Sequence, residues 1–549
     1  MEISGLVLVL PLLLLFSYLV VFQLYNRPIK LPSSVPEVGV RNEIFKTLRA
    51  RLRQLTNGIT TLSDGYHKYS KHGKPFSVHE PSFQQEVILP PEMVSWFANQ
   101  SDSSMSSAEI RKERHAVRYL HKGVEFDSTS FFLGRVAGDS LNRKLDMIQS
   151  PMYEELSRKI DEVFGVSEDE WKTINVYNSM QEIIVPAMSR VFFGLPLGLD
   201  PGFLVIFQRY VLAMGVGTIV IGELPRVLKG LLVPIFNIPL RYYRSKVMRA
   251  LVPEVESRLK RLGDAADQKD GENGYDFITQ SAKVSAKMSK TAKIPKSNTL
   301  AEWIMLMGFA ALSSTIIQAS NLILDVICCP PEMEAWSALR DEAANSIKEA
   351  RDWNDSSIFK RMPLLDSTIR ESLRYHPILI KGLTKEVVHP EGLVLPDGTQ
   401  VPRGSWLGVP VLGLHMDDRF YPNAQTYDPF RFARLKAERA KEEKDIRIRL
   451  DSYGPDRPQT ASSKTRSYAD ELSAGQPTAT YLGFGYGRHA CPGRWFAVQL
   501  LKIMMVYIIL NYDIEHDNPR PQTRVIGDAA LPPISATIRV RRRRRTERT

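Results

Sequence analysis

The chain has 549 residues, of which 43% are hydrophobic and 24% are charged, and its formal net charge is +11. Three cysteines are too few for a secreted domain built on disulfides. The positive charge suits nucleic acid, but the chain has no recognition motif for it, so we predict no nucleic-acid partner.

The N-terminal residues predict a membrane anchor. Residues 3–26 carry no charge and are long enough to cross a bilayer. A cleaved signal peptide is the alternative, but Glu2 stands where such a peptide has basic residues. We therefore predict an anchor over 1–26 and a proline-containing hinge over 27–40. The basic residues that follow should keep the rest of the protein on the cytosolic face.

A single large domain over 41–540 is expected to follow the hinge. Its first part alternates amphipathic helical patterns with short loops. Residues 203–243 are strongly apolar, but we expect the uncharged run 210–222 to be too short for a span and to be broken by its glycines. We interpret four side chains of the early helices as solvated surface groups: Arg114, His115, His121 and Arg143.

Residues 304–324 form the longest uncharged segment after the anchor. By length they could be a second span, which would make the chain a non-catalytic membrane protein. Ser313, Gln318 and Asn321 are better placed inside a protein than in lipid. We therefore favour a buried helix that ends before Pro330, because proline cannot continue it.

The C-terminal third contains several shorter signals. Glu371 and Arg374 are spaced to share a helix face and to pair. Residues 387–411 alternate like strands. A charged loop is expected over 436–477, and a basic tail over 541–549. His415 and Asp417 have no third ligand nearby for a metal.

A glycine-framed cysteine lies in the sequence F-G-Y-G-R-H-A-C-P-G, which runs from Phe484 to Gly493. Gly485 and Gly487 permit positive φ and a close approach to a flat group. An apolar helical pattern follows, so Cys491 should lie near a helix N-terminus that favours the thiolate. A lone cysteine is commonly inert core. Zinc requires more ligands than this chain offers in one motif, whereas haem requires one strong ligand from the protein.

This motif resembles the haem-thiolate signature of the cytochrome P450 monooxygenases, and His489 gives it the form of the filamentous-fungal type from secondary metabolism. The resemblance implies a mainly α fold with small β-sheets, preceded by one N-terminal transmembrane helix. It implies that Cys491 is the axial ligand of haem b. The implied neighbours of the haem are Phe484, Gly485, Gly487 and Arg488, with Lys385 as a second propionate partner.

The resemblance also assigns roles to two further motifs. The family pattern A-G-x-[D/E]-T-T, an acid and an alcohol that deliver protons, corresponds to residues 310–315. Ser313 replaces the acid, which leaves Ser314 and Thr315 as the catalytic relay. Glu371, Arg374 and Arg431 correspond to a structural lock beneath the haem.

The implied function is hydroxylation or other oxidation of a lipophilic small molecule, such as a terpenoid, polyketide or alkaloid intermediate. The reaction would use O2 and electrons from NADPH through NADPH–cytochrome P450 reductase. The implied location is the endoplasmic reticulum membrane, with a single span. Because the acid is absent, rearrangement, dehydration or ring coupling without oxygen insertion stays open as an alternative.

Overall fold

The computed structural model describes most of residues 29–544. The residues outside the description are 1–28, 83, 122–131, 133, 225, 265–274, 289–295, 351–352, 354, 356, 452–470, 517–518 and 545–549. The predicted anchor over 1–26 therefore lies outside the described residues. The predicted hinge over 27–40 is described from residue 29, and it packs onto the domain. Its Val35 is buried, and Glu37–Val38 forms a strand.

Helices dominate the described chain, in agreement with the predicted fold class. In chain order they are α1 Lys46–Lys68, α2 Val94–Asn99, α3 Ser107–Arg114, α4 Val117–Leu120, α5 Leu145–Phe164, α6 Val176–Phe193, α7 Pro201–Glu223, α8 Arg226–Asp264, α9 Phe277–Met288, α10 Ser297–Ile327, α11 Ala335–Lys348, α12 Pro363–Tyr375, α13 Val411–His415, α14 Arg431–Asp451 and α15 Arg494–Asn511. A π-helical segment, Val136–Leu141, precedes α5.

The described strands are short and form small sheets. They are β1 Glu37–Val38, β2 Phe76–His79, β3 Gln85–Ile88, β4 Met105–Ser106, β5 Lys172–Asn175, β6 Gly382–Val387, β7 Leu393–Val394, β8 Gln400–Val401, β9 Trp406–Val409, β10 Tyr512–Glu515, β11 Arg524–Ile526, β12 Ala529–Leu531 and β13 Thr537–Arg542. The largest sheet has the order β1-β2-β3-β9-β6-β4, and a second has the order β10-β13-β5. Strands β11 and β12 form a hairpin, as do β7 and β8.

Local chemistry explains several helix boundaries. The Asp200 carboxylate accepts a hydrogen bond from the Phe203 N–H at 2.6 Å, and Pro201 follows it, so α7 begins there. Helix α10 ends at Ile327, before Pro330, as predicted. Strand β13 continues through Arg542, so the first two residues of the predicted basic tail belong to a sheet.

Helix α10 runs through the largest hydrophobic core, where it packs against α6, α8 and α12. By length and composition alone, α7, α10 and α15 are the helices among the described residues that could cross a membrane. Gln318, Asn321 and Asp325 of α10 are buried, and each is hydrogen-bonded to other protein groups. Helix α10 therefore lies in the protein interior, as its polar residues predicted.

Helices α7 and α8 carry an exposed apolar surface. The run 210–222 is not interrupted by its glycines, because α7 is continuous through them, contrary to our expectation. Leu212 of α7 is 67% exposed, and Ile235 and Ile238 of α8 are 62% and 64% exposed. An exposed apolar surface of this kind is typical of a site that contacts a partner or a membrane.

Two further expectations were wrong. Helix α14 extends to Asp451, into the segment expected as a loop, because its Ala, Glu, Lys and Arg residues favour helix. Of the four side chains interpreted as solvated, His121 is buried, and Arg114 forms ion pairs with buried carboxylates. The surroundings of Arg114 and His121 come from segments that are distant in the sequence, so local sequence patterns could not predict them.

Candidate active site

The loop of residues 484–493, called the cysteine loop below, folds back on itself just before α15. The Cys491 N–H donates to the Phe484 carbonyl at 2.8 Å, and the Gly485 N–H donates to the Leu482 carbonyl at 2.9 Å. Gly485 and Gly487 have φ angles of +70° and +72°, the left-handed conformation that their positions predicted. Phe484 packs against the main helical core, so the loop is tied to it.

Cys491 precedes α15 and is partly exposed. Burial raises the pKa of its thiol, while the Gly493 N–H and the Arg494 charge act in the opposite direction. The net shift is upward, so the helix start favours the thiolate as predicted but does not outweigh burial. Coordination to a metal ion removes the proton from a thiol.

The middle of helix α10 presents small side chains that a flat cofactor could approach. Ala310 is exposed and Ser314 is half-buried, although they lie midway along a helix that is otherwise largely buried. Among the described residues, one group of acidic side chains is arranged so that it could hold a metal ion, and it consists of Glu80, Glu86 and Asp528. Cys491 does not belong to this group, so the described residues offer its thiol no partners for binding zinc. One sulfur without further sulfur or nitrogen ligands suits haem better than zinc.

Gly487 offers a test of the loop geometry. A Cβ at Gly487 would lie 2.8 Å from the Ala98 Cβ, and its φ is unfavourable for other residues. We expect Gly487→Ala to destabilise the folded protein by about 2 kcal/mol. Gly73→Ala is the matched control, because Gly73 has nearly the same φ of +74° but its added Cβ meets nothing within 4 Å. Urea unfolding and haem content would measure the difference, and equal values for the two variants would contradict the geometry.

The two predicted propionate partners lie close to one end of α2. The Lys385 ammonium is buried and donates to the Phe97 carbonyl at 2.8 Å. Burial lowers the pKa of Lys385 to about 8, and the nearby Arg488 charge acts in the same direction, against the charge of Asp102. Arg488 itself is exposed. The structure thus gives Lys385 a backbone partner, and contact with a propionate stays a prediction for both residues.

The hydroxyls on the central helix α10 point back to their own helix. Ser313, Ser314 and Thr315 each donate to a carbonyl one turn earlier, at 2.8, 2.9 and 2.7 Å. The three hydroxyl protons are therefore already used in hydrogen bonds within the helix, while the oxygen atoms can still accept a hydrogen bond. A catalytic role for Ser314 and Thr315 stays a prediction, and it would use them as acceptors.

Glu371, Arg374 and Arg431 meet in the buried core. The carboxylate of Glu371 accepts two bonds from Arg374 at 2.8 Å, and the single Nε–H of Arg431 is shared between the two carboxylate oxygens at 3.2 Å. Both arginines also donate to backbone carbonyls of the segment 415–426. The group therefore fixes α12 against the irregular chain that leads into α14.

His415 provides a link that sequence reasoning missed. The Leu482 N–H donates to its Nε2 at 2.9 Å, so Nε2 carries no proton, and Nδ1 donates to the Arg374 carbonyl at 2.9 Å. Burial, followed by the Arg374 charge, lowers the pKa of His415 to about 3. The neutral ring therefore connects α12 to the start of the cysteine loop.

This link predicts a pH dependence. Below pH 6.5 His415 becomes protonated in the unfolded chain, whereas in the folded protein its ring stays neutral down to about pH 3. The free energy of unfolding therefore falls as the pH decreases from 6.5 towards 3. The contribution approaches about 1.4 kcal/mol per pH unit. Urea unfolding from pH 7 to pH 4 should show a shallower loss in His415→Gln than in the unmodified protein. Parallel curves would show that His415 does not titrate in this way.

A second buried charge cluster was also not predicted. The Lys381 ammonium lies 2.5, 2.8 and 2.9 Å from carboxylate oxygens of Glu80, Glu86 and Asp528. Arg114 contacts the same three acids. A metal ion is not needed there, because the ammonium occupies the centre of the acidic group. No local motif signals the cluster, since its members are far apart in the sequence.

Comparison with known proteins decides the family. The family model described as cytochrome P450 matches residues 71–538. The chain belongs to the cytochrome P450 family. The crystal structure of the cytochrome P450DA heme domain superimposes with a TM-score of 0.66 at 13% identity, covering 95% of this chain and 100% of that one. That likeness concerns the fold.

Relatives of this P450 are fungal monooxygenases. Cytochrome P450 monooxygenase fsoD of Humicola fuscoatra is 50% identical over 95% of both chains. Cytochrome P450 monooxygenase efuH of Hormonema carpetanum is 48% identical over 92% of this chain and 86% of its own. The polB enzyme of Polytolypa hystricis is 37% identical over 96% of both.

Membership of the family settles several predictions. The family resemblance and the assignment of a haem-thiolate cofactor are confirmed, and the protein is an oxidoreductase that incorporates oxygen. The alternative of a non-catalytic membrane protein is wrong. P450 enzymes use a redox partner and a small-molecule substrate, and this P450 is expected to do the same.

Proposed function

We propose that this P450 hydroxylates or otherwise oxidises a lipophilic small molecule, a terpenoid, polyketide or alkaloid intermediate, in fungal secondary metabolism. The observation that carries the proposal is the position of Cys491, a lone thiol between left-handed glycines and a buried helix. The relatives named as monooxygenases at 50% and 48% identity support the reaction class. The apolar helices α7 and α8 support a lipophilic substrate.

The residues have separate tasks in this proposal. Bound haem supplies oxygen activation, which a thiolate ligand favours by promoting O–O cleavage. Cys491 provides that thiolate, and Phe484 packs beside it. Arg488 and Lys385 hold the propionates. The Glu371 group and His415 keep the cysteine loop in place, so that the ligand position does not depend on the loop alone.

The electrons are proposed to come from NADPH through NADPH–cytochrome P450 reductase. The chain itself contains no convincing dinucleotide-binding fingerprint. The net charge of +11 favours an acidic partner. Association with such a partner weakens as salt increases, because charge screening reduces the attraction. A rate of reductase-driven haem reduction that is independent of salt would argue against this partner.

The protein is further proposed to lie on the cytosolic face of the endoplasmic reticulum membrane, anchored by residues 1–26. Their uncharged length and the basic residues that follow support this location. The exposed Leu212, Ile235 and Ile238 support additional contact of α7 and α8 with lipid. Alkaline extraction of microsomes should leave the full chain in the membrane and release a chain that lacks residues 1–26.

Reconstitution tests the reaction. The purified protein, the reductase and NADPH are supplied with an extract of the producing fungus under isotopically labelled oxygen gas. A product that carries one labelled oxygen atom supports monooxygenation. A product without the label would instead favour rearrangement, dehydration or ring coupling, the alternative that Ser313 raises by replacing the usual acid. Metabolite profiles after gene deletion then identify the substrate.

A further inference from the structure

One face of the central helix α10 carries a line of polar side chains, and only the first of them, Ser314, has a predicted role in the reaction. Ser314, Gln318, Asn321 and Asp325 follow one another at spacings of four, three and four residues, so they share one face. Gln318, Asn321 and Asp325 are each at most 3% exposed. Polar groups buried in this way need partners, and their partners show which way the line runs.

The far end of the line approaches the protein surface. The carboxylate of Asp325 accepts from the Ser372 hydroxyl at 2.6 Å and from Arg520 Nε at 2.6 Å, and it lies 3.0 Å from His376 Nδ1. Burial opposes the charge, but His376 and Arg520 hold the pKa of Asp325 below its usual value, so it is ionised. The side chains of His376 and Arg520 are 11% and 16% exposed.

These contacts fix the orientation of the Gln318 amide. An ionised carboxylate only accepts, so Ser372 must donate its one hydroxyl proton to Asp325. The Ser372 oxygen then accepts from Gln318, and the group 2.9 Å away is Nε2. The amide oxygen, Oε1, therefore faces away from Ser372. It is buried and has no hydrogen-bond partner among the described residues.

The near end of the line is Ser314, one turn before Gln318. The Ser314 hydroxyl donates to the Ala310 carbonyl, so its oxygen is available as an acceptor. A water molecule between the two side chains can donate to both oxygens and satisfy Gln318 Oε1. It would lie between the turn of half-buried Ser314 and the turn of buried Gln318, next to Ser313, which replaces the family's acid.

We propose that Gln318 is a positioning residue that binds a water molecule beside Ser314 and thereby supplies the proton donor that Ser313 cannot. This inference rests on the proposed monooxygenase function. The overall reaction is RH + O2 + 2e− + 2H+ → ROH + H2O, with both electrons from NADPH through the reductase and both protons from solvent. The water held by Gln318 passes these protons on and is reprotonated by bulk water.

A readout that does not depend on turnover is a high-resolution crystal structure of the haem-loaded protein. We expect an ordered water molecule within hydrogen-bonding distance of both Gln318 Oε1 and Ser314 Oγ. A protein group bonded to Oε1, or a dry apolar contact there, would overturn the proposal. Because this measurement needs no substrate, it stands even if the proposed reaction proves to be a different one.

A pair of variants provides the second readout. Gln318→Met keeps the length of the side chain but removes its acceptor. Ser320→Ala is the matched control, because Ser320 is equally buried on the opposite face of α10 and its hydroxyl bonds, among the described residues, to the Ile316 carbonyl of its own helix. Product per NADPH consumed should fall about tenfold or more in Gln318→Met, the low end of what positioned proton transfer contributes, and should not change in Ser320→Ala.

Hydrogen peroxide separates proton delivery from structural damage. In RH + H2O2 → ROH + H2O the oxidant brings its own hydrogens, so no net protons come from solvent. Gln318→Met should therefore keep most of the peroxide-driven turnover of the unmodified protein. Loss of both routes in Gln318→Met would show that the side chain only holds the helices together and would overturn the proposal, as would unchanged coupling to NADPH. A failure of the unmodified protein to form product concerns the proposed function instead.

Discussion

Replacing Cys491 with serine is expected to abolish the far-red-shifted Soret band of the reduced, carbon-monoxide-bound protein, together with all product formation. Cys491 is the described thiol that lies in the glycine-framed loop, and a serine hydroxyl does not provide a thiolate. The band reports sulfur ligation of the haem iron directly. Its measurement needs only purified protein, dithionite and carbon monoxide.

Cys329→Ser is the control for this experiment. The Cys329 thiol donates to the Asp325 carbonyl at 3.2 Å, a bond that a hydroxyl can also make, and it lies outside the cysteine loop. The control should keep the band. If Cys491→Ser also kept it, the iron would be bound by another atom, and the description of the active site would have to be abandoned.

Replacing Glu371 with glutamine is expected to have the largest effect on stability. The substitution keeps the shape of the side chain but leaves Arg374 and Arg431 buried without a counter-charge. Removing one member of a buried ion group typically costs about 3–5 kcal/mol. Urea unfolding of the haem-loaded protein would measure this loss, and we expect release of haem at lower urea concentration.

The control for Glu371→Gln is an exposed ion pair whose two residues are also three positions apart in a helix. Glu162 pairs with Lys159 at 2.8 Å, and its side chain is 57% exposed. Because solvent screens such a pair, Glu162→Gln should cost less than about 1 kcal/mol. Similar costs for the two variants would mean that Glu371 does not stabilise the fold through its charge.

The features that the sequence predicted well depend on residues within short stretches of the chain. The conformations of Gly485 and Gly487, the pairing of Glu371 with Arg374, and the end of α10 before Pro330 depend on residues close to one another. The contact with Arg431 required the family resemblance, because nothing in the spacing connects residues 371 and 431. The family also determined the cofactor.

The features that escaped prediction depend on distant segments. His415 joins residues of α12 to Leu482, and no local pattern indicates that its ring is neutral and buried. Lys381 and Arg114 look like ordinary surface cations until the fold brings three acids around them. Helix α14 was missed for the opposite reason, since its charged composition was taken for solvated loop although it has good helix propensity.

The Lys381 cluster also has a consequence for biosynthesis. Its ligands come from β3, from the chain just before it, and from the turn of the β11–β12 hairpin, where Asp528 lies near the end of the chain. A ribosome-bound chain that still lacks this hairpin cannot complete the charge balance around Lys381. Closure of the β-rich side of the domain around Lys381 must therefore wait until residue 528 has left the ribosome, although most of the sheet is synthesised earlier.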